Sequence, residues 1–330
     1  MMPNTKTMGL NRRDWLLGAA ASVCGASARA QAPGWPTRPV QLIVAAPAGG
    51  PSDALARMLA EDMARSLGQP MVIDNRPGAG GVLGVEALMR SAPDGHTVLM
   101  SGIANTTAPA LLPKVGHDFV RDFVHVTQLV AGSNVLVAHP STGFKTLADV
   151  LTAAKAKPGK LTYASSGNGS SGHLAIELLK QRAGVSLLHI PYRGGAPALN
   201  DLLGGQVDLL VINQDAVIPY AKAGRLVPLA ITSPARIKLF PDLPTMAESG
   251  VPGFEATAWA GLTVPRGTPT QAVERLHTAA KSALGGAVGA KQEDIGAVVV
   301  GSSPAQFGEF VRKETEKWAQ VIKTAGIKPD

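Results

Sequence analysis

From residue 40 onward the chain alternates short apolar runs with amphipathic stretches, the rhythm of strands followed by helices. The pattern predicts strands at 40–45, 71–75 and 97–100, with helices at 51–67 and around 82–90. Two more apolar runs, 124–130 and 134–138, lead to His139-Pro140, where the rhythm restarts. Helices are then predicted near 146–157, 171–183, 196–203 and 216–223, with strands at 161–164, 187–191, 207–212 and 227–232. A loop punctuated by Pro241, Pro244 and Pro252 precedes a last apolar run at 259–264, and helical patterns from Pro269 and Pro304 close the chain. Short strands separated by helices predict an α/β fold with a mostly parallel sheet, covered on both faces, and with binding loops at the carboxyl ends of its strands. Two crossovers between two such series predict two lobes around a hinged cleft. Lobe 1 would be residues 37–137 and 260–330, and lobe 2 residues 138–259.

Three of the predicted loops have unusual composition. In Pro47-Ala48-Gly49-Gly50-Pro51-Ser52-Asp53 an apolar run breaks at two glycines and turns directly into a helix. Glycines there can turn backbone N–H groups into a concavity, and Pro51 suits the first helical turn. A helix N-terminus of this kind favours a carboxylate or phosphate beside it. Asp53 is read either as a carboxylate bonding back to the cap or as a pocket acid. Ser165-Ser166-Gly167-Asn168-Gly169-Ser170-Ser171-Gly172-His173 is the equivalent turn of the second series. One serine there would cap the helix, but a cap alone does not explain four serines with three glycines. Ser101-Gly102-Ile103-Ala104-Asn105-Thr106-Thr107 is read as a third binding loop. His173 is read as a cap, a packing residue or a pocket donor. Asp215, just past a strand, is read as a helix cap or a ligand contact, Asn75 with Arg76 as braces of the Gly78-Ala79-Gly80-Gly81 turn, and Arg76 alternatively as a residue reaching a carboxylate in the cleft.

Composition narrows the function. A chain of 330 residues exceeds what one core usually serves, in keeping with two lobes. Aromatic residues are only 4%, so aliphatic side chains must fill the cores. Of the net charge of +7, the first 30 residues hold Lys6, Arg12, Arg13 and Arg29 against Asp14. The remainder is mildly basic and has no long Lys/Arg block, which argues against nucleic acid as a partner.

Those first 30 residues read as an export signal: Arg12-Arg13, a short apolar segment at 15–23, and Ala28-Arg29-Ala30 before the expected cut. The paired arginines fit a twin-arginine-like signal or an ordinary secretory one, and either places the mature protein in the periplasm. The apolar segment is well short of the roughly 20 residues that span a bilayer. Cys24, the one cysteine, lies inside this signal, so the mature chain is expected to have no disulfide and no cysteine metal site.

Enzymatic readings find less support. Gly167, Gly169 and Gly172 form a literal G-x-G-x-x-G, the basis of an alternative as an exported nucleotide-dependent α/β oxidoreductase. Where a ribose-binding acid belongs, however, the chain has Pro191-Tyr192-Arg193. No G-x-S-x-G elbow occurs, and the seven histidines show no zinc spacing. The expectation is a protein that is not an enzyme and takes no cofactor and no metal.

Several segments in the same order resemble the extracytoplasmic solute receptors of the tripartite tricarboxylate transporter system, the Bug family. They are Pro47-Ala48-Gly49-Gly50 with Asp53, Asn75-Arg76-Pro77-Gly78-Ala79-Gly80-Gly81, the loop from Ser165 to His173, His189-Ile190-Pro191-Tyr192-Arg193-Gly194-Gly195, and Leu243-Pro244-Thr245 with Glu248 and Gly250. The resemblance implies a periplasmic-binding-protein type II fold that captures a small carboxylate and delivers it, as a monomer, to membrane permease subunits. By position it implies contacts from Ala48, Gly49, Gly50 and Asp53 in one lobe, and from Ser165, Gly169, Ser170, His173 and Asp215 in the other. Ala46 stands where the family commonly has an aromatic residue, and this leaves room for a bulkier acid.

Overall fold

The computed structural model describes residues 34–112 and 114–328. The export signal and Cys24 lie outside the described residues. The first series runs β1 (Val40–Val44), α1 (Pro51–Leu67), β2 (Met71–Asn75), α2 (Val82–Met89), β3 (Thr97–Gly102) and α3 (Ile103–Leu111). A long strand, β4 (Phe123–Ala138), leads into α4 (Leu147–Ala156), β5 (Thr162–Ser165), α5 (Ser171–Ala183), β6 (Leu188–Pro191), α6 (Gly195–Leu203), β7 (Leu209–Asn213), α7 (Gln214–Lys222) and β8 (Val227–Ile231). The return strand β9 (Thr257–Pro265) is followed by α8 (Thr270–Leu284), α9 (Ala287–Asp294), β10 (Val298–Val299) and α10 (Pro304–Ala325).

The strands pair in the order β2-β1-β3-β9-β4-β7-β5-β6, with β8 and β10 also on β4. Among the described strands, parallel pairing joins β1, β2 and β3 at one end and β5, β6 and β7 at the other, so the sheet is mixed rather than mostly parallel. The central strands β4 and β9 run antiparallel to their neighbours. Strand β4 pairs with β9 as far as Ser133↔Thr257, then with β7 from Asn134↔Asn213 onward. One 16-residue strand therefore joins the two half-sheets. The two runs read at 124–130 and 134–138 are not separate. The weakly apolar Ala131, Gly132 and Ser133 stay in the ladder because β9 supplies their partners.

The supposed loop at Ser101 to Thr107 is also corrected: it is the end of β3 and the start of α3. The Asn105 side chain accepts the Gly102 N–H at 2.8 Å, and the Thr106 and Thr107 hydroxyls bond back to the Ile103 and Ala104 carbonyls. These local bonds, with burial of both threonines, override a composition that favours turns. By contrast, α1 and α5 have the bounds expected from their signals. Pro51 begins α1 and Gly68 ends it in the left-handed conformation, while Ser170 caps α5 and Gly184 ends it likewise.

One core packs Leu55, Leu59 and Met63 of α1 with Leu276 and Ala280 of α8 against Leu42 and Val98. The second half-sheet buries Leu136, Tyr163 and Leu209 under Leu174 and Leu178 of α5. Helix α10 packs into two cores. Its Phe307 and Val311 join Ile43, Leu99 and Phe119, whereas Trp318, Val321 and Ile322 join the core under α5.

Candidate ligand-binding site

Three strand ends of the first half-sheet converge. A Cβ on Gly81 would lie 3.5 Å from the Ala45 Cβ and 3.5 Å from the Asn105 Nδ2, so the β2–α2 turn sits against both neighbouring turns. Asp53 anchors this group. One carboxylate oxygen accepts the Gly49 N–H and the Arg57 Nε, each at 2.9 Å, and the other accepts the Asn75 Nδ2 at 2.9 Å. The same Asn75 amide reaches the Ala46 carbonyl at 3.2 Å. Asp53 is 3% exposed, yet the Arg57 hydrogen bond, then the Gly49 N–H and the Asn75 amide, hold its pKa down to about 2. Bonding back from the third helical position is the capping reading, except that the bond goes one residue further, to Gly49.

Gly50 is the N-cap of α1, and its helix start has no side-chain cap. The Gly49 N–H is committed to Asp53, so the donors left at this start are the N–H groups of Gly50, Ser52 and Asp53. Gly49 shapes the turn through its φ of 83°, and Ala48 beside it is exposed. Arg76 is drawn aside onto Asp74 at 2.6 Å rather than into the turn. Arg57 was missed in the sequence, although its i+4 spacing from Asp53 was a usable signal.

In the second turn, Ser165 is fully buried, with its Oγ 2.6 Å from the His189 Nε2 and 3.2 Å from the Gly167 N. The Gly169 N–H donates to the His173 Nδ1 at 3.1 Å, and the Ser170 hydroxyl accepts the His173 N–H at 3.4 Å. The His173 ring stacks on His189 at 3.9 Å, and His189 stacks on Tyr163 at 4.8 Å. Below them Glu177 accepts the Tyr163 hydroxyl at 2.5 Å and the Lys180 ammonium at 2.6 Å. Burial first, then His189 and Lys180, push the His173 pKa down to about 3, so the ring is neutral. Ser165 and His173 thus hold the loop from beneath, leaving the first-turn N–H groups of Ser171 and Gly172 with no partner inside the helix. The second turn touches the first half: a Cβ on Gly169 would lie 2.5 Å from the Leu111 Cδ1 at the end of α3.

Asp215 is exposed in the first turn of α7, which starts at Gln214 rather than at residue 216. The cap position belongs to Asn213, whose side chain makes no capping bond, so the cap reading of Asp215 is corrected. The buried residue at this start is Gln214, which donates to the Ile295 carbonyl at 2.9 Å. No spacing rule would have singled it out.

These buried groups give a pH dependence with a definite sign. Burial lowers His125 to about 4 and His173 to about 3, against an ordinary 6.5. Below pH 6.5 the unfolded chain takes up protons there that the folded chain refuses, so stability falls with pH through that window. Asp53, at about 2 against 3.8, contributes stability above pH 3.8 that is lost as pH falls toward 2. Melting temperature should therefore be flat just above about pH 6.5 and decline below it before any carboxylate titrates. A profile that stays flat down to about pH 4 would contradict the neutral, buried state of both rings.

Among the described residues no helix is long and apolar enough to cross a membrane, and no group of three or more His, Cys, Asp or Glu side chains could hold a metal. A family model described as the tripartite tricarboxylate transporter family receptor matches residues 55–327. BugT of Bordetella pertussis is 37% identical over 324 residues, covering 97% of this chain and 99% of its own. A solved structure of R. palustris Rpa4515 with adipate is 38% identical, covers 90% of this chain and 100% of that chain, and superposes with a TM-score of 0.77. MatC (Rpa3494) from Rhodopseudomonas palustris with bound malate is 33% identical, covers 87% and 100%, and gives 0.73. The fold is the two-lobed α/β fold of periplasmic binding proteins, and the oxidoreductase alternative finds no support. Receptors of this kind are periplasmic and take small-molecule ligands for a transporter. With the match running from within α1 to the last described residues, the chain belongs to the tripartite tricarboxylate transporter receptor family.

Proposed function

We propose that this receptor captures a small dicarboxylate between its lobes, without turning it over, and presents the closed form to membrane permease subunits. The observation that carries this is the pair of helix starts, α1 and α5. Each follows a strand end in a different half-sheet, is turned by glycines and has first-turn N–H groups with no partner inside the helix. Ala48, Gly50 and the α1 start would hold one carboxylate, and Ser170 and the α5 start the other. Gly49, Asp53, Ser165, Gly169 and His173 shape those seats, and Asp215 borders them. Adipate and malate in two relatives support the ligand class. The reading includes a monomer released to the periplasm by a twin-arginine-like or ordinary secretory signal. Its lobes would divide as 37–137 with 260–330, and 138–259, with α10 spanning both. Closure needs only that the ligand bind the closed state better than the open one.

A thermal-shift panel of dicarboxylates, tricarboxylates, aromatic acids and amino acids tests this. A ligand at about 100 times its Kd adds roughly 2.7 kcal/mol. With an unfolding entropy of about 2.1 cal/mol/K per residue, the mature chain should melt roughly 4 °C higher. A shift with aromatic acids but not with succinate would assign the space beside Ala46 to the ligand's own ring. No shift with any acid, or steady consumption of one, would overturn the receptor reading.

A further inference from the structure

The place where β4 changes partners holds an unexplained polar group. The main chain of Asn134 is pinned: its N–H donates to the Thr232 Oγ1 at 3.0 Å, and its carbonyl accepts the Thr232 N–H at 3.0 Å and the hydroxyl at 3.1 Å. Strand alternation puts its side chain on the face of Leu136 and Ala138, which pack in one core with Leu174 and Ala175 of α5. Asn134 lies where that apolar face ends, at the start of α5, and its Nδ2 donates to the Ser171 Oγ at 3.2 Å. The side chain is 1% exposed, and its Oδ1 has no hydrogen-bond partner.

A brace for α5 would account for the Nδ2 bond but not for the bare oxygen. Buried polar atoms are nearly always paired, and leaving one unpaired opposes folding. An amide oxygen is an acceptor only, so a carboxylate cannot satisfy it; a hydroxyl or an ammonium group can. The carboxylates of a bound diacid already have donors at the two helix starts, and Asn134 stands beside one of them on the strand that joins the half-sheets.

We infer that Asn134 is a specificity-determining ligand contact, whose Oδ1 accepts a hydrogen bond from a donor substituent on the carbon chain of a dicarboxylate. The inference rests on the carboxylate reading above and names the feature that reading leaves open. The favoured ligands are 2-hydroxy or 2-amino diacids, and unsubstituted diacids leave the Oδ1 bare.

Calorimetry with succinate, malate and aspartate tests it. The native protein should bind malate or aspartate about tenfold or more tightly than succinate. Asn134→Ala should erase that preference, weakening malate and aspartate by about tenfold more than it weakens succinate. Equal weakening of all three acids in the variant would make the side chain a brace or a carboxylate donor and overturn the inference. Native protein that binds succinate as well as the substituted acids would overturn it without any variant. Native protein that binds none of the three, nor any acid of the thermal-shift panel, would instead defeat the carboxylate reading itself.

Discussion

Trp318→Ala should lower stability by about 3–5 kcal/mol, the cost of emptying a fully buried aromatic site. Trp318 is wholly enclosed in the second lobe's core, although it lies on the last helix of the chain. Its Nε1 donates to the Glu314 Oε2 at 2.8 Å, and the Lys317 ammonium stands 4.5 Å above its ring while also bonding Glu314. The alanine variant therefore leaves both a cavity and a buried carboxylate short of a donor. At about 2.1 cal/mol/K per residue, melting should fall by roughly 5–8 °C. Trp318→Phe keeps most of the volume and should fall less. Ligand affinity of the folded variants should hold, because the Trp318 hydrogen bond is made within its own helix rather than to either helix start. A melting change within roughly 1 °C for the alanine variant would show that α10 is not part of the second core.

Gly172→Ala should destabilise the protein and weaken ligand binding together, reversing the usual effect of that substitution. In an ordinary helix interior, alanine for glycine gains about 1 kcal/mol. Here the new Cβ would lie 2.2 Å from the Val211 carbonyl oxygen on β7. That oxygen cannot retreat, since Val211 is paired with Leu136 across the sheet. Helix α5 must then lift off β7, and overpacking of this kind costs about 1–3 kcal/mol. Ser170 and Ser171 move with it, so affinity for the diacid should drop by roughly tenfold or more. Gly308→Ala is the control: a Cβ there meets nothing within 4 Å, and it should be neutral or stabilising. If both variants behave alike, α5 does not depend on close approach to β7.

How much was legible follows from where each signal resides. The bounds of α1 and α5 were readable because Pro51, Gly68, Ser170 and Gly184 act on their own backbone neighbours. Helix α4 was likewise readable, since Thr146 and Asp149 form a reciprocal cap three residues apart. The continuity of β4 was not, because Gly132 and Ser133 look like a break until β9 is laid beside them. Nor was α3, whose threonines are helical only because their hydroxyls and burial favour it.

The sequence by itself determined the α/β rhythm, the glycine-turned helix starts and the residue types gathered there, since all of these rest on contacts within a few residues. Only the tertiary structure decided what those residues do. It commits Ser165 to His189 and the Gly169 N–H to His173, and it ties Asp53 to Asn75 across 22 positions of chain. It divides α10 between two cores and sets the Asn134 amide beside Ser171, 37 positions away, with one oxygen unpaired. Those outcomes depend on how closely distant segments approach, and the approach is fixed by sheet pairing and core packing, which no local pattern encodes.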